Sequence, residues 1–161
     1  MARPTPELVE ALRTTARRLA RGAHYSWGHP GCCNLGHLAQ TVTRLSRAEI
    51  IAAASVRPGD WGEIVAEHCP SSGLPIDWVV DRLLALGLTR QDLAHLEDLS
   101  DPAVRARFPL ERRDALVRNR REDVVDYLLT WANGLAEALG AEGTVALRAA
   151  PEGASLAVGR G

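Results

Sequence analysis

The chain has 161 residues, 46% of them apolar and 24% charged, the balance of one ordinary globular domain rather than of a disordered segment. Its formal net charge of −1 supplies no global field for nucleic acid or an anionic membrane, and no apolar run approaches the roughly 20 residues that span a bilayer. All 19 basic residues are arginine, which excludes Schiff-base chemistry through lysine and a lysine-bearing phosphate loop.

The first residues enter an amphipathic pattern directly, without the apolar core of a secretory signal, so the expected location is the cytoplasm. Thr5, Pro6 and Glu7 read as an N-cap, a proline in the first turn and an acidic start. Leu8, Leu12, Ala16 and Leu19 then recur at helical spacing until Gly22. A glycine-rich loop fills 22–36, and a second helix is predicted from about Asn34 to Arg44. Ser46 with Glu49 is a capping box that opens a third helix through Ala54, and Arg57-Pro58-Gly59 is a turn. Asp60 with Glu63 caps a short helix that reaches about His68, before a second loop at Cys69-Pro70-Ser71-Ser72-Gly73.

The pattern continues with a helix over about 75–86, ended by Gly87. Thr89 and Asp92 cap a further short helix to about His95, Ser100-Asp101-Pro102 begins one more turn, and 110–118 is predicted helical. The longest helix is expected over about 121–139, where Val124, Val125, Leu128, Leu129, Trp131, Ala132, Leu135 and Leu139 form a wide apolar stripe. Residues 141–161 are Gly- and Ala-rich and are expected to form a flexible tail, with Thr144–Leu147 as at most a short strand. The fold class is therefore all-α: a single-domain array over 1–140 of about six to eight short helices and one longer C-terminal helix.

The chemistry is concentrated in one segment, His24-Tyr25-Ser26-Trp27-Gly28-His29-Pro30-Gly31-Cys32-Cys33-Asn34-Leu35-Gly36-His37. It holds three of the five histidines and two of the three cysteines. His68-Cys69 is the other adjacent His/Cys pair. An odd cysteine count, with two of the three adjacent, argues against a disulfide framework. Thiolate and imidazole together are the donors of zinc and iron–sulfur sites. The expectation is a small metal-binding protein, holding a zinc ion or an iron–sulfur cluster, with a redox, sensing or structural role. Cys33, Cys69, His29 and His37 are its expected ligands, with Cys32, Trp27 and Tyr25 around the centre. Cys33 is preferred to Cys32 because the helix start at Asn34 offers it free N–H groups and the positive end of the macrodipole. The spacing matches no standard signature: there is no CxxC and no HExxH.

Two other readings start from the same residues. One is a metal-free redox thiol protein that uses Cys33 and Cys69. The other is a non-catalytic helical interaction module or DNA-binding regulator, with Arg105, Arg107, Arg112, Arg113, Arg118, Arg120 and Arg121 as a phosphate-contacting stripe. The acids Glu111, Asp114, Glu122 and Asp123, interleaved with these arginines, offer local ion pairs instead. Among carboxylates, Glu67 and Glu97 are candidates for a fourth ligand or a proton donor. No Glu-x-x-His supports a di-iron bundle.

Overall fold

The computed structural model describes residues 2–56 and 59–149. Among them it is all-α, with no strand and nine helices. These are α1 (Pro6–Ala20), α2 (Asn34–Thr43), α3 (Arg47–Ala54), α4 (Trp61–Ala66), α5 (Pro75–Ala85), α6 (Arg90–Asp98), α7 (Pro102–Arg105), α8 (Leu110–Arg113) and α9 (Arg121–Ala149). The caps read from the sequence form as local side-chain bonds. The Thr5 side chain accepts from the Leu8 N–H, and Ser46/Glu49, Asp60/Glu63 and Thr89/Asp92 close reciprocal capping boxes.

Helix α2 is the hub. It packs against α1, α3, α5 and α6, and Asn34 through Gln40 are all buried. A helix buried on every side has no polar face to place in water. Its polar residues must therefore find partners inside the protein, and that requirement shapes the site. Around it, α1 packs along α9, α4 against α6, and α7 against α9. One contiguous core includes Leu8, Leu12, Leu35, Leu38, Ile64, Leu83, Leu96 and Leu128.

Three boundaries differ from the sequence reading. Helix α6 runs to Asp98 rather than His95, because Leu93, Leu96 and the closing Leu99 continue the core face for another turn. Helix α8 ends at Arg113 rather than continuing to 118: its N-cap, Pro109, makes no side-chain bond and none of its residues is buried, so nothing holds a longer helix. Helix α9 continues through Gly140 to Ala149 instead of giving way at 139. A glycine inside a helix costs only about 1 kcal/mol, which the surrounding Ala, Glu and Leu residues offset. The strand alternative at Thr144–Leu147 is replaced by this helix. Arg57 and Pro58 of the expected turn, and 150–161 of the expected tail, lie outside the described residues.

Candidate functional site

Gly22, in a left-handed conformation (φ 92°), ends α1 and turns the chain back over the start of α2. The loop then folds on itself. The N–H groups of Cys32 and Cys33 both donate to the His29 carbonyl, at 2.8 and 3.0 Å, and Ser26 N–H donates to the Cys32 carbonyl at 3.1 Å. Side chains from the helices hold it from outside. His37 Nε2 lies 2.9 Å from the His24 carbonyl, and Gln40 Nε2 donates to the Gly31 carbonyl at 2.8 Å. Trp61 Nε1 donates to the Pro30 carbonyl at 3.1 Å, and the Tyr25 hydroxyl donates to the Arg118 carbonyl. Gly36 makes this seating possible: a Cβ there would stand 2.0 Å from the Pro30 carbonyl oxygen. The loop backbone lies directly on the helix backbone.

Cys33 is the N-cap of α2, and its sulfur accepts from the Gly36 N–H at 3.3 Å. It is fully enclosed. Asn34 then ties this helix start to the end of α6, donating to the Leu96 and Glu97 carbonyls at 2.5 and 3.2 Å. That tie brings Glu97, itself only 6% exposed, to the end of α2 that the enclosed Cys33 caps. Burial pushes the Glu97 pKa up to about 7, assisted by the negative charges of Asp60 and Asp98. Burial likewise raises the Cys33 thiol well above its ordinary range, assisted by Glu97 and opposed by the helix-start N–H groups. The two groups share an enclosure in which neither ionises easily beside the other.

Tyr25 stands beside this pair. Tyr25 is half-buried, and its phenol is raised by burial and by the nearby Cys33 and Glu97. The Arg118 guanidinium stacks on Trp27, 3.8 Å from the ring centroid, and is ion-paired with Asp98. Among the buried polar atoms without a hydrogen-bond partner are Trp27 Nε1 in the loop, His37 Nδ1 on α2 and Glu97 Oε2 on α6. Buried groups of this kind are rare enough to call for a reason.

No protein-family model, curated protein or solved structure matches this chain. The site stands on its own geometry.

The four expected metal ligands lie in four different surroundings. Cys33 faces Glu97 and Trp61. His37 faces His24, Arg18 and Arg47; burial lowers its pKa, and the ring serves as a neutral clamp on the loop. His29 is exposed, and its backbone carbonyl does the work in the turn. Cys69 is exposed beyond α4, with its sulfur 3.6 Å from the Ser71 hydroxyl. Among the described residues, no group of three or more His, Cys, Asp or Glu side chains is placed to hold a metal ion. Of the residues expected around the centre, Tyr25 lies near Cys33, Trp27 lies under the Arg118 guanidinium, and Cys32 is buried in the turn outside the main core cluster. Of the two acids singled out, Glu97 is at the site and Glu67 is an exposed C-cap of α4.

The sequence reading missed Trp61, Asn34 as an anchor, and Arg118 as the lid on Trp27. Asn34 is a buried polar residue at the head of α2 and needs a partner inside the protein, but the sequence does not say that the partner lies at the end of α6. The arginine segment is largely neutralised. Arg105, Arg107, Arg112, Arg118, Arg120 and Arg121 each pair with a carboxylate, and Arg113 donates to the Phe108 and Ala106 carbonyls. No helix among the described residues is long and apolar enough to cross a membrane.

Proposed function

We propose that the chain is a metal-free thiol protein whose working residue is Cys33, with Glu97 as its proton partner. The observation that carries this reading is the buried Glu97 carboxyl set against an equally buried thiol, with one carboxylate oxygen unpartnered. A carboxylate whose pKa lies near neutrality is matched to taking and returning a proton at the pH of the cell. The thiol rests protonated and becomes a nucleophile only as Glu97 accepts its proton. Cys69, exposed and remote from Glu97, takes no part.

The test is the rate at which a small uncharged thiosulfonate modifies Cys33 in the native protein between about pH 5 and 9. The charged and titratable groups facing Glu97 are Cys33 on α2, Asp60 before α4, Asp98 on its own helix, and Tyr25 and Arg118 from the loops. The expected rate climbs through pH 7 as Glu97 loses its proton, and Glu97→Gln removes that step. Stoichiometric zinc or iron in protein purified without a metal-binding tag, lost on Cys33→Ser, would overturn the reading in favour of a metal centre. A rate without a step near pH 7 would overturn the role of Glu97.

A further inference from the structure

We infer that the cavity between residues 2–5, α7 and α9 binds a small monocarboxylate with an apolar body, and that Arg107 receives its carboxylate. The cavity shares no lining residue with the Cys33 loop, so this inference stands apart from the thiol reading. Its volume is about 200 Å³. Protein interiors are close-packed, with few voids larger than a water, whose share of liquid volume is about 30 Å³. An apolar cavity of about 150 Å³ accepts a benzene molecule. The space beside α9 therefore suits one ring with a short substituent, or a chain of about six carbons.

Small residues build this space. Gly134 and Ala138 lie one turn apart on α9, on the same face as Trp131 and Leu135, so the helix presents a large ring beside two gaps. Ala2 and Pro4 supply another wall, and Val104 of α7 a third. Trp131, Ala2 and Val104 are all buried. The segment before α1 is pinned, because Arg3 N–H donates to the Gly87 carbonyl at 2.8 Å and the Thr5 hydroxyl to the Leu86 carbonyl at 2.9 Å.

The polar end is Arg107, just past α7. A Cβ at Gly134 would stand 2.9 Å from Arg107 Nε and 3.2 Å from its Cζ, so the guanidinium lies directly on the α9 backbone. Among the described residues its one side-chain partner is Glu137, 2.6 Å from Nη2, in a pair whose members are 40% and 65% exposed. That pair uses one arm of a planar fork that matches a carboxylate with two parallel N–H bonds. An exposed pair of this kind is weak, and Glu137 can turn into water when a better-shaped carboxylate arrives. Asp101, also on the lining, already gives Oδ1 to the Ala103 and Val104 N–H groups at 2.8 and 3.0 Å, so its charge is committed to the start of α7. One guanidinium at the edge of an apolar space selects one anionic group joined to an apolar body. Inorganic phosphate has no such body, and a plain hydrocarbon leaves the fork unused.

The experiment titrates the full chain with phenylacetate, hexanoate and the neutral analogue phenylacetamide, and follows the indole N–H resonances of the tryptophans by NMR. The Trp131 resonance, assigned with Trp131→Phe, is expected to move, with the other tryptophans as internal references. Phenylacetate is expected to saturate with a Kd below about 1 mM, and phenylacetamide to bind at least about tenfold more weakly. Arg107→Gln is expected to remove that difference by weakening phenylacetate alone, and Arg107→Lys to restore part of it. Ala138→Leu fills the space without touching the guanidinium and is expected to abolish binding of both compounds. If Arg107→Gln fails to fold, the comparison of acid with amide in wild type and the loss in Ala138→Leu still decide. No saturable shift with either acid up to about 20 mM overturns the inference. Equal affinity for phenylacetate and phenylacetamide overturns it as well. So does a shift confined to another tryptophan, or binding that survives both Ala138→Leu and Arg107→Gln. None of these outcomes bears on the thiosulfonate rate at Cys33, so the two proposals fail separately.

Discussion

The segments His24–His37 and His68–Gly73 share a composition of histidine, cysteine, proline and glycine, yet they solve different problems. In the first, the thiol is enclosed and the loop is pinned by bonds from α2, α4 and the segment before α9. In the second, the histidine is enclosed and the thiol is outside. His68 Nε2 lies 2.7 Å from Asp81 Oδ1, and its Nδ1 accepts from Arg90 at 3.1 Å. Because Arg90 can only donate, the ring proton of neutral His68 is on Nε2, pointed at Asp81. Asp77 accepts from the Cys69 N–H and the Ser72 hydroxyl and closes that loop. The second segment is complete within itself. The first leaves Trp27 Nε1 and His37 Nδ1 buried without a hydrogen-bond partner, and that difference, rather than the residue count, sets the two segments apart.

The sharpest way to break the first segment is Gly36→Ala. The added methyl meets the Pro30 carbonyl, which is backbone and cannot swing away. We expect a loss of about 3 kcal/mol or more, seen as a large fall in the denaturation midpoint. A midpoint within experimental error of wild type would show that the loop can lift off α2.

Next in size is the pH dependence that Glu97 imposes. Its pKa is raised from 4.5 to about 7 on folding, so the folded state binds more protons than the unfolded state between those values. Stability from this group is therefore complete below about pH 4.5 and is lost as pH rises through 7, by on the order of 3 kcal/mol. Glu97→Gln keeps the shape without the ionisation. It is expected to be more stable than wild type at pH 8 and to flatten the stability profile between pH 5 and 8. A variant less stable than wild type at pH 8 would contradict this assignment.

The second segment responds more weakly. His68→Ala removes the Asp81 and Arg90 bonds of a side chain that is 2% exposed, at a cost of about 2 kcal/mol by chemical denaturation. It should leave the Cys33 modification rate unchanged, and a change in that rate would mean the two segments are coupled. Smallest of all is Cys69→Ser at an exposed thiol, expected within about 0.5 kcal/mol of wild type.

Where the sequence succeeded, the interactions are short in range. Thr5, Ser46, Asp60 and Thr89 bond three residues ahead, and a pattern at that spacing can be read directly. The all-α class and the position of Cys33 at the head of a helix follow from the same local rules. The reading of His29, His37 and Cys69 as partners of Cys33 used composition to stand in for proximity. Proximity turned out to favour Glu97, 64 positions away, through Asn34 and the extra turn of α6.

The amino-acid sequence by itself determined which segments are helical, where most of them start, and which loop carries the reactive side chains, because capping and hydrophobic periodicity act within a few residues. Only the tertiary structure decided which of those side chains are enclosed and what faces them. Burial and the resulting pKa shifts depend on how α2 sits among α1, α3, α5 and α6. That seating raises the Cys33 thiol and sets the Glu97 carboxyl beside it, while Cys69 remains at the surface.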